Sequence, residues 1–100
     1  MIKTIRTWVR PNTATPWWTS IIAADYRPYV KDNFSSQGKM SQTLVTSKDG
    51  LELTSETIYR DEEAFKEVTT DPIVSSWYKT RAQYCVKNGI TESPLIITQE

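Results

Sequence analysis

Residues 2–10 alternate along the chain, with Ile2, Thr4, Arg6 and Trp8 on one side and Lys3, Ile5, Thr7 and Val9 on the other. β-Branched and aromatic residues are frequent in both sets, which suits a pleated, half-buried surface and predicts a strand. Pro11-Asn12 ends it. Residues 40–47 and 51–60 are two further runs of this kind, joined through Lys48-Asp49-Gly50. An Asp-Gly pair between strand-forming runs signals a hairpin, because glycine enters the positive-φ region without steric cost. With Asp49-Gly50 as a two-residue loop, Lys48 faces Leu51, Thr46 faces Leu53, Leu44 faces Ser55 and Met40 faces Tyr59. That face carries the larger apolar groups and is expected to meet helices. Ser41, Thr43, Val45, Thr54, Glu56 and Ile58 lie on the other.

The helical signals are interrupted by prolines. Thr15-Pro16 reads as an N-cap with proline at the first helical position, continued by Ile21, Ile22 and Ala24. Pro28 opposes that reading, because an interior proline costs about 3 kcal/mol. The preferred alternative starts the helix at Asp25, so that Pro28 falls in the first turn, where a missing N–H loses nothing. Tyr26, Tyr29 or Val30, and Phe34 then form the apolar stripe, and Asn12–Ala24 is left as a long irregular segment containing Trp17 and Trp18. Ser35–Gly38 closes the helix. A second helical region begins at Asp61, with Glu62 and Glu63 in its first turn and Ala64, Phe65 and Val68 as its stripe. Thr69–Pro72 breaks it and restarts it with Asp71 as N-cap. Ile73, Val74, Trp77, Arg81, Tyr84 and Cys85 follow at helical spacing, and Asn88-Gly89 is a C-cap signal. A last strand runs from about Ile90, or from Leu95, to Thr98.

The order strand, helix, strand, strand, helix, strand predicts an α+β, ferredoxin-like βαββαβ domain spanning residues 1–100. It is a four-stranded antiparallel sheet with both helices on one face. One helical layer leaves the other face of the sheet open. On this alternation that face holds Ile2, Trp8, Val45, Ile58 and Ile96. Apolar patches of this kind mark interfaces, so a homodimer is expected, with Trp8, Val45, Ile58 and Ile96 as interface residues.

Composition narrows the function classes. Twelve basic and twelve acidic residues are mixed along the chain with no net charge. Nucleic acid and an anionic membrane surface are therefore not expected as partners, because both need a basic stripe. No apolar run approaches the roughly 20 residues of a membrane span. Cys85 is the only cysteine, which fits a reducing compartment and an expected cytoplasmic location in the producing or host cell. There is no histidine. Zinc, haem-histidine and Ser-His-Asp chemistry thereby lose their usual ligands and bases. Three glycines in all make a nucleotide cradle implausible. No cofactor and no metal is expected.

The segments Arg60–Phe65, Asp71–Tyr84 and Asn88–Ile90 resemble the second half of the dimeric α/β-barrel superfamily, whose best-known members are the antibiotic biosynthesis monooxygenases. The shared pattern is a strand ending in an acidic helix start, a phenylalanine soon after, an Asp-Pro break and an aromatic-bearing helix. The resemblance implies a ferredoxin-like fold, dimerisation and a pocket for a small hydrophobic ligand between sheet and helices. One branch binds haem through a histidine, which this chain lacks. Another oxidises quinols or anthrones without cofactor, using asparagine, tryptophan, tyrosine and arginine. The resemblance to that branch implies Asn12, Trp77, Tyr78 and Arg81 as catalytic candidates. The opening Ile2–Asn12 is also similar to small proteins of tailed phages that infect marine bacteria.

Trp17 and Trp18 either wall a ligand pocket or pin their loop over the core. Trp77, Tyr84 and Cys85 also fit as core on an amphipathic helix. Two functions result. The preferred one is a small homo-oligomeric protein with a non-enzymatic binding or assembly role, since no catalytic constellation is visible. The alternative is a cofactor-independent monooxygenase-like enzyme acting on a hydrophobic aromatic substrate.

Overall fold

The computed structural model describes residues 1–20 and 26–99. Strand β1 (Ile2–Val9) is the centre of the sheet. It pairs along its whole length with β3 (Glu52–Tyr59), and β3 pairs in turn with β2 (Met40–Thr46). The other edge of β1 takes two short pieces, β4 (Thr91–Glu92) and β5 (Ile96–Gln99). All pairings are antiparallel, and the order is β2-β3-β1-β4 with β5 also beside β1. The last strand is split because Pro94 has no N–H to give the ladder. Ser93 bridges the gap: its N–H donates to the Thr7 carbonyl and its hydroxyl accepts from the Thr7 N–H, both at 2.9 Å.

The β2–β3 register is the expected one, with Met40 opposite Tyr59, Leu44 opposite Ser55 and Thr46 opposite Leu53. The turn is longer than a two-residue loop, since the strands stop at Thr46 and resume at Glu52. The Gly50 N–H donates to the Ser47 carbonyl, and Gly50 sits at φ 74°. The Asp49 carboxylate accepts from the Ser47 hydroxyl and the Leu51 N–H, and these bonds hold its carboxyl below the usual range.

Helix α1 (Tyr26–Asn33) carries Pro28 in its first turn, as predicted; Asp25, its expected N-cap, lies outside the described residues. The second helical region is two helices, α2 (Glu62–Thr70) and α3 (Pro72–Lys87), divided at Asp71. Asp61 caps α2 by accepting from the Ala64 N–H. Asp71 Oδ1 caps α3 by accepting from the N–H groups of Ile73 and Val74, and its Oδ2 accepts from the Tyr29 hydroxyl at 2.8 Å. One side chain thereby ends the break and ties α1 to α3. At the far end Gly89 lies at φ 71°, and the Ile90 N–H returns to the Cys85 carbonyl at 2.8 Å. That motif turns the chain back towards the sheet. No helix of the described residues is long and apolar enough to cross a membrane.

The helices cover one face of the sheet, and the core there forms two clusters. One contains Trp8, Trp17, Trp18, Leu53, Trp77, Cys85 and Ile90. The other contains Ile2, Val30, Phe34, Met40, Tyr59, Val68 and Val74. Tyr26 and Tyr78 pack against both.

Ile2 and Trp8 therefore do not lie on the open face. Trp8 is 1% exposed, and register puts it opposite Leu53 as it puts Ile2 opposite Tyr59. Both residue sets of β1 mix apolar and polar groups, so alternation alone leaves the buried face undecided, and a one-residue choice inverts it. The open face instead carries Ile5 and Val9 from β1, together with Val45, Ile58 and Ile96. Val45 and Ile96 are 60% and 58% exposed.

Asp71→Ala removes the α3 cap and is expected to cost about 1 kcal/mol, whereas Asp71→Asn keeps an N-cap acceptor and loses little. Urea midpoints of the two variants check this.

Candidate functional site

The inner face of the sheet is apolar at both ends and polar in the middle. On β1 the inward residues run Ile2, Thr4, Arg6, Trp8; on β3, read against them, Tyr59, Thr57, Ser55, Leu53. Thr4 stands opposite Thr57 and Arg6 opposite Ser55. Thr4, Ser55 and Thr57 are all buried. Burying hydroxyls costs free energy unless they are hydrogen-bonded. Gln42 of β2 reaches Ser55 Oγ at 3.1 Å and Thr57 Oγ1 at 3.5 Å, and Thr4 bonds Tyr59.

Above this polar band the two core clusters separate and leave a cleft with a volume of about 130 Å³. Its floor is Thr4, Arg6, Ser55 and Thr57; its roof is Tyr26 from α1 and Trp77, Tyr78 and Arg81 from α3. Exposed Gln42, Leu44 and Leu95 border its mouth. The one-, three- and four-residue spacings from Trp77 to Tyr78, Tyr78 to Arg81 and Trp77 to Arg81 put all three on one side of α3. Tyr26 stacks on Trp77, with ring centroids 4.6 Å apart and 15° between the planes. Burial and the neighbouring Tyr78 hydroxyl keep both Tyr26 and Tyr59 well above the usual phenol range, so neither ionises near neutral pH.

The charged end is organised around Glu92 of β4. Its carboxylate accepts from Trp8 Nε1 at 2.7 Å, pairs with Arg6 Nη1 at 3.2 Å and lies 3.9 Å from Arg81 Nε. The Arg81 guanidinium sits 4.8 Å from the Trp8 ring centroid and 5.0 Å from that of Tyr78, both within cation–π range. Burial draws the Arg81 pKa down, and Glu92 opposes that shift.

Of the residues singled out from the sequence, Trp18, Trp77, Tyr78 and Arg81 line the cleft. Trp17 does not: it is core, with the Arg10 guanidinium 4.8 Å from its ring centroid. Arg10 also donates to the carbonyls of Gly50 and Thr15, so this pair fastens the loop over the domain. Asn12 is likewise absent from the cleft. Its side-chain oxygen accepts from the N–H groups of Ala14 and Thr15, a turn role on an exposed loop. Cys85 is core, and burial pushes its thiol up to about 11. Among the described residues no group of three or more His, Cys, Asp or Glu is placed to hold a metal ion. Sequence reasoning missed Thr4, Arg6, Ser55, Thr57 and Glu92. The signal was present in the paired runs apolar–polar–polar–apolar on β1 and β3, but it becomes a site only once the strand register is known.

Three buried acids have folded values above their ordinary ones: Cys85 from 9.0 to about 11, and Tyr26 and Tyr59 from 10.0 upward. The unfolded chain releases these protons first. Stability is therefore full below pH 9, falls as pH rises through the thiol window of 9.0 to about 11, and falls further as the tyrosines join above 10.0. Urea midpoints measured across that range should decline, and Cys85→Ala should remove the thiol part of the decline and keep the rest.

No family model and no curated protein matches this chain. Solved structures do. The cofactor-independent oxygenase SnoaB from Streptomyces nogalater is 14% identical with a TM-score of 0.61, over 99% of this chain and 91% of that one. The monooxygenase from the gene ActVA-Orf6 of Streptomyces coelicolor, in complex with nanaomycin D, is 11% identical with a TM-score of 0.66, over 99% and 88%. A dimeric ferredoxin-like protein from an uncultured marine organism is 11% identical with a TM-score of 0.52, over 99% and 95%. The chain thus has the ferredoxin-like α+β fold that these antibiotic biosynthesis monooxygenase-like structures share.

Proposed function

We propose that this protein is a homodimer that binds a small aromatic molecule in the cleft between its sheet and its helices, and does so without catalysis. The observation that carries the binding role is the cleft, with aromatic walls and a polar band built from residues paired across two strands. A cavity of about 150 Å³ holds benzene, so 130 Å³ is room for about one ring. Binding without turnover is favoured by the absence of a proton acceptor among the described lining residues. Tyr26 and Tyr59 stay neutral, no carboxylate is among those residues, and the chain has no histidine.

The dimer reading rests on the open sheet face, where Ile5, Val9, Val45, Ile58 and Ile96 gather on one surface. At roughly 25 cal/mol per Å² of apolar surface, covering it against a second copy gains several kcal/mol. A neighbour of the same fold is described as dimeric. A single cysteine fits a reducing compartment and favours a cytoplasmic location.

Light scattering is expected to give twice the protomer mass, and Val45→Glu to halve it; a monomer at micromolar concentration overturns the dimer. Calorimetric titration with phenol is expected to saturate at one site per protomer, with Ser55→Leu abolishing the heat while circular dichroism stays unchanged. A flat titration with phenol and hydroquinone alike overturns the binding role.

A further inference from the structure

The charges around the cleft are unevenly placed. Arg6 and Arg81 line it, Arg27 stands at its exposed edge, and no aspartate or glutamate of the described residues lines it. Among the described residues the one carboxylate within reach of the two inner arginines, Glu92, is not itself a lining residue. It pairs with Arg6 Nη1 at 3.2 Å, and its 3.9 Å separation from Arg81 Nε is too long for a hydrogen bond. The Nε atoms of Arg6 and Arg81 are both buried, and neither has a hydrogen-bond partner among the described residues. Among the described residues two guanidiniums face one carboxylate at that end, which leaves one unit of positive charge there. A guanidinium binds a charged acceptor more strongly than a neutral one.

We infer that the cleft selects a single-ring aromatic monoanion of the benzoate class, its carboxylate held between Arg6 and Arg81 over the Ser55 hydroxyl and its ring directed towards Met40, Tyr59 and Phe65. This deepens the proposed binding role and rests on it. The ligand's carboxylate meets the two guanidiniums that line the cleft, and its charge balances the surplus arginine. Glu92 acts as a positioning residue: it holds the guanidinium of Arg6 in place while leaving room for a second carboxylate.

The test compares benzoate with benzamide, its neutral near-isostere, by calorimetry on the full chain at neutral pH. Benzoate is expected to bind at least about tenfold more tightly. Arg81→Gln and Arg6→Gln should each weaken benzoate far more than benzamide and so remove that preference, whereas Arg81→Lys should retain part of it. Glu92→Gln should strengthen benzoate binding, since it removes a competing negative charge. If Arg81→Gln fails to fold, because Arg81 packs on Trp8, the Arg6→Gln result decides. Equal affinity for benzoate and benzamide overturns the anion preference but leaves the aromatic binding role standing. Binding of phenol but not of benzoate does the same. Absence of binding by benzoate, benzamide and phenol together overturns both.

Discussion

The pairing of β1 with β3 governs the rest of the molecule. Eight consecutive residue pairs, from Ile2 with Tyr59 to Val9 with Glu52, set which side of each strand meets the helices. The side so chosen brings Thr4 to Thr57 and Arg6 to Ser55, between an apolar pair at either end. The helices can pack closely on the ends, where Trp8 and Leu53 or Ile2 and Tyr59 offer apolar surface. They pack less well on the middle, where hydroxyls and a guanidinium need polar partners. Two core clusters with a cleft between them are the consequence. A slip of one residue would send Lys3, Ile5, Thr7 and Val9 inward and leave neither core nor cleft.

Aromatic rings and charge then share the work at one end of the cleft. Arg81 is held by the faces of Trp8 and Tyr78 as much as by Glu92. Glu92 in turn is fixed by Trp8 Nε1 at 2.7 Å and by Arg6. β4 has only two residues, yet one of them supplies the anion that organises two arginines from different elements. Ser93, the next residue, preserves the strand pairing across Pro94, and so keeps Glu92 on the inner side of the sheet. Backbone pairing at a sheet edge and electrostatics inside the cleft are thus one arrangement.

The α2–α3 break has a comparable economy. Asp71 terminates one helix and starts the next, and through Tyr29 it joins α1 to α3. Those are the two helices that roof the cleft, contributing Tyr26 on one side and Trp77, Tyr78 and Arg81 on the other. The spacing of roof from floor therefore depends on the cap at the Asp-Pro break.

Much of this was legible in the linear chain. The hairpin at Asp49-Gly50 and its register, the restart of the helix at Asp71-Pro72, the end of α3 at Asn88-Gly89 and the first-turn position of Pro28 all follow from local stereochemistry. A cap, a fixed φ or a left-handed glycine acts over a few residues and leaves its mark in the sequence. The grouping of Trp77, Tyr78 and Arg81 was legible for the same reason, through helical spacing. The buried face of β1 was not, because Ile2 and Trp8 alternate with polar residues as Ile5 and Val9 do. That choice belongs to the long-range pairing with β3, where burial of the whole face decides. That contact places Trp8 in the core, and the separate pairing of β4 with β1 brings Glu92 from the other end of the chain to the two arginines. Local rules state what each segment can be; which side chains meet is settled by packing between segments far apart in sequence.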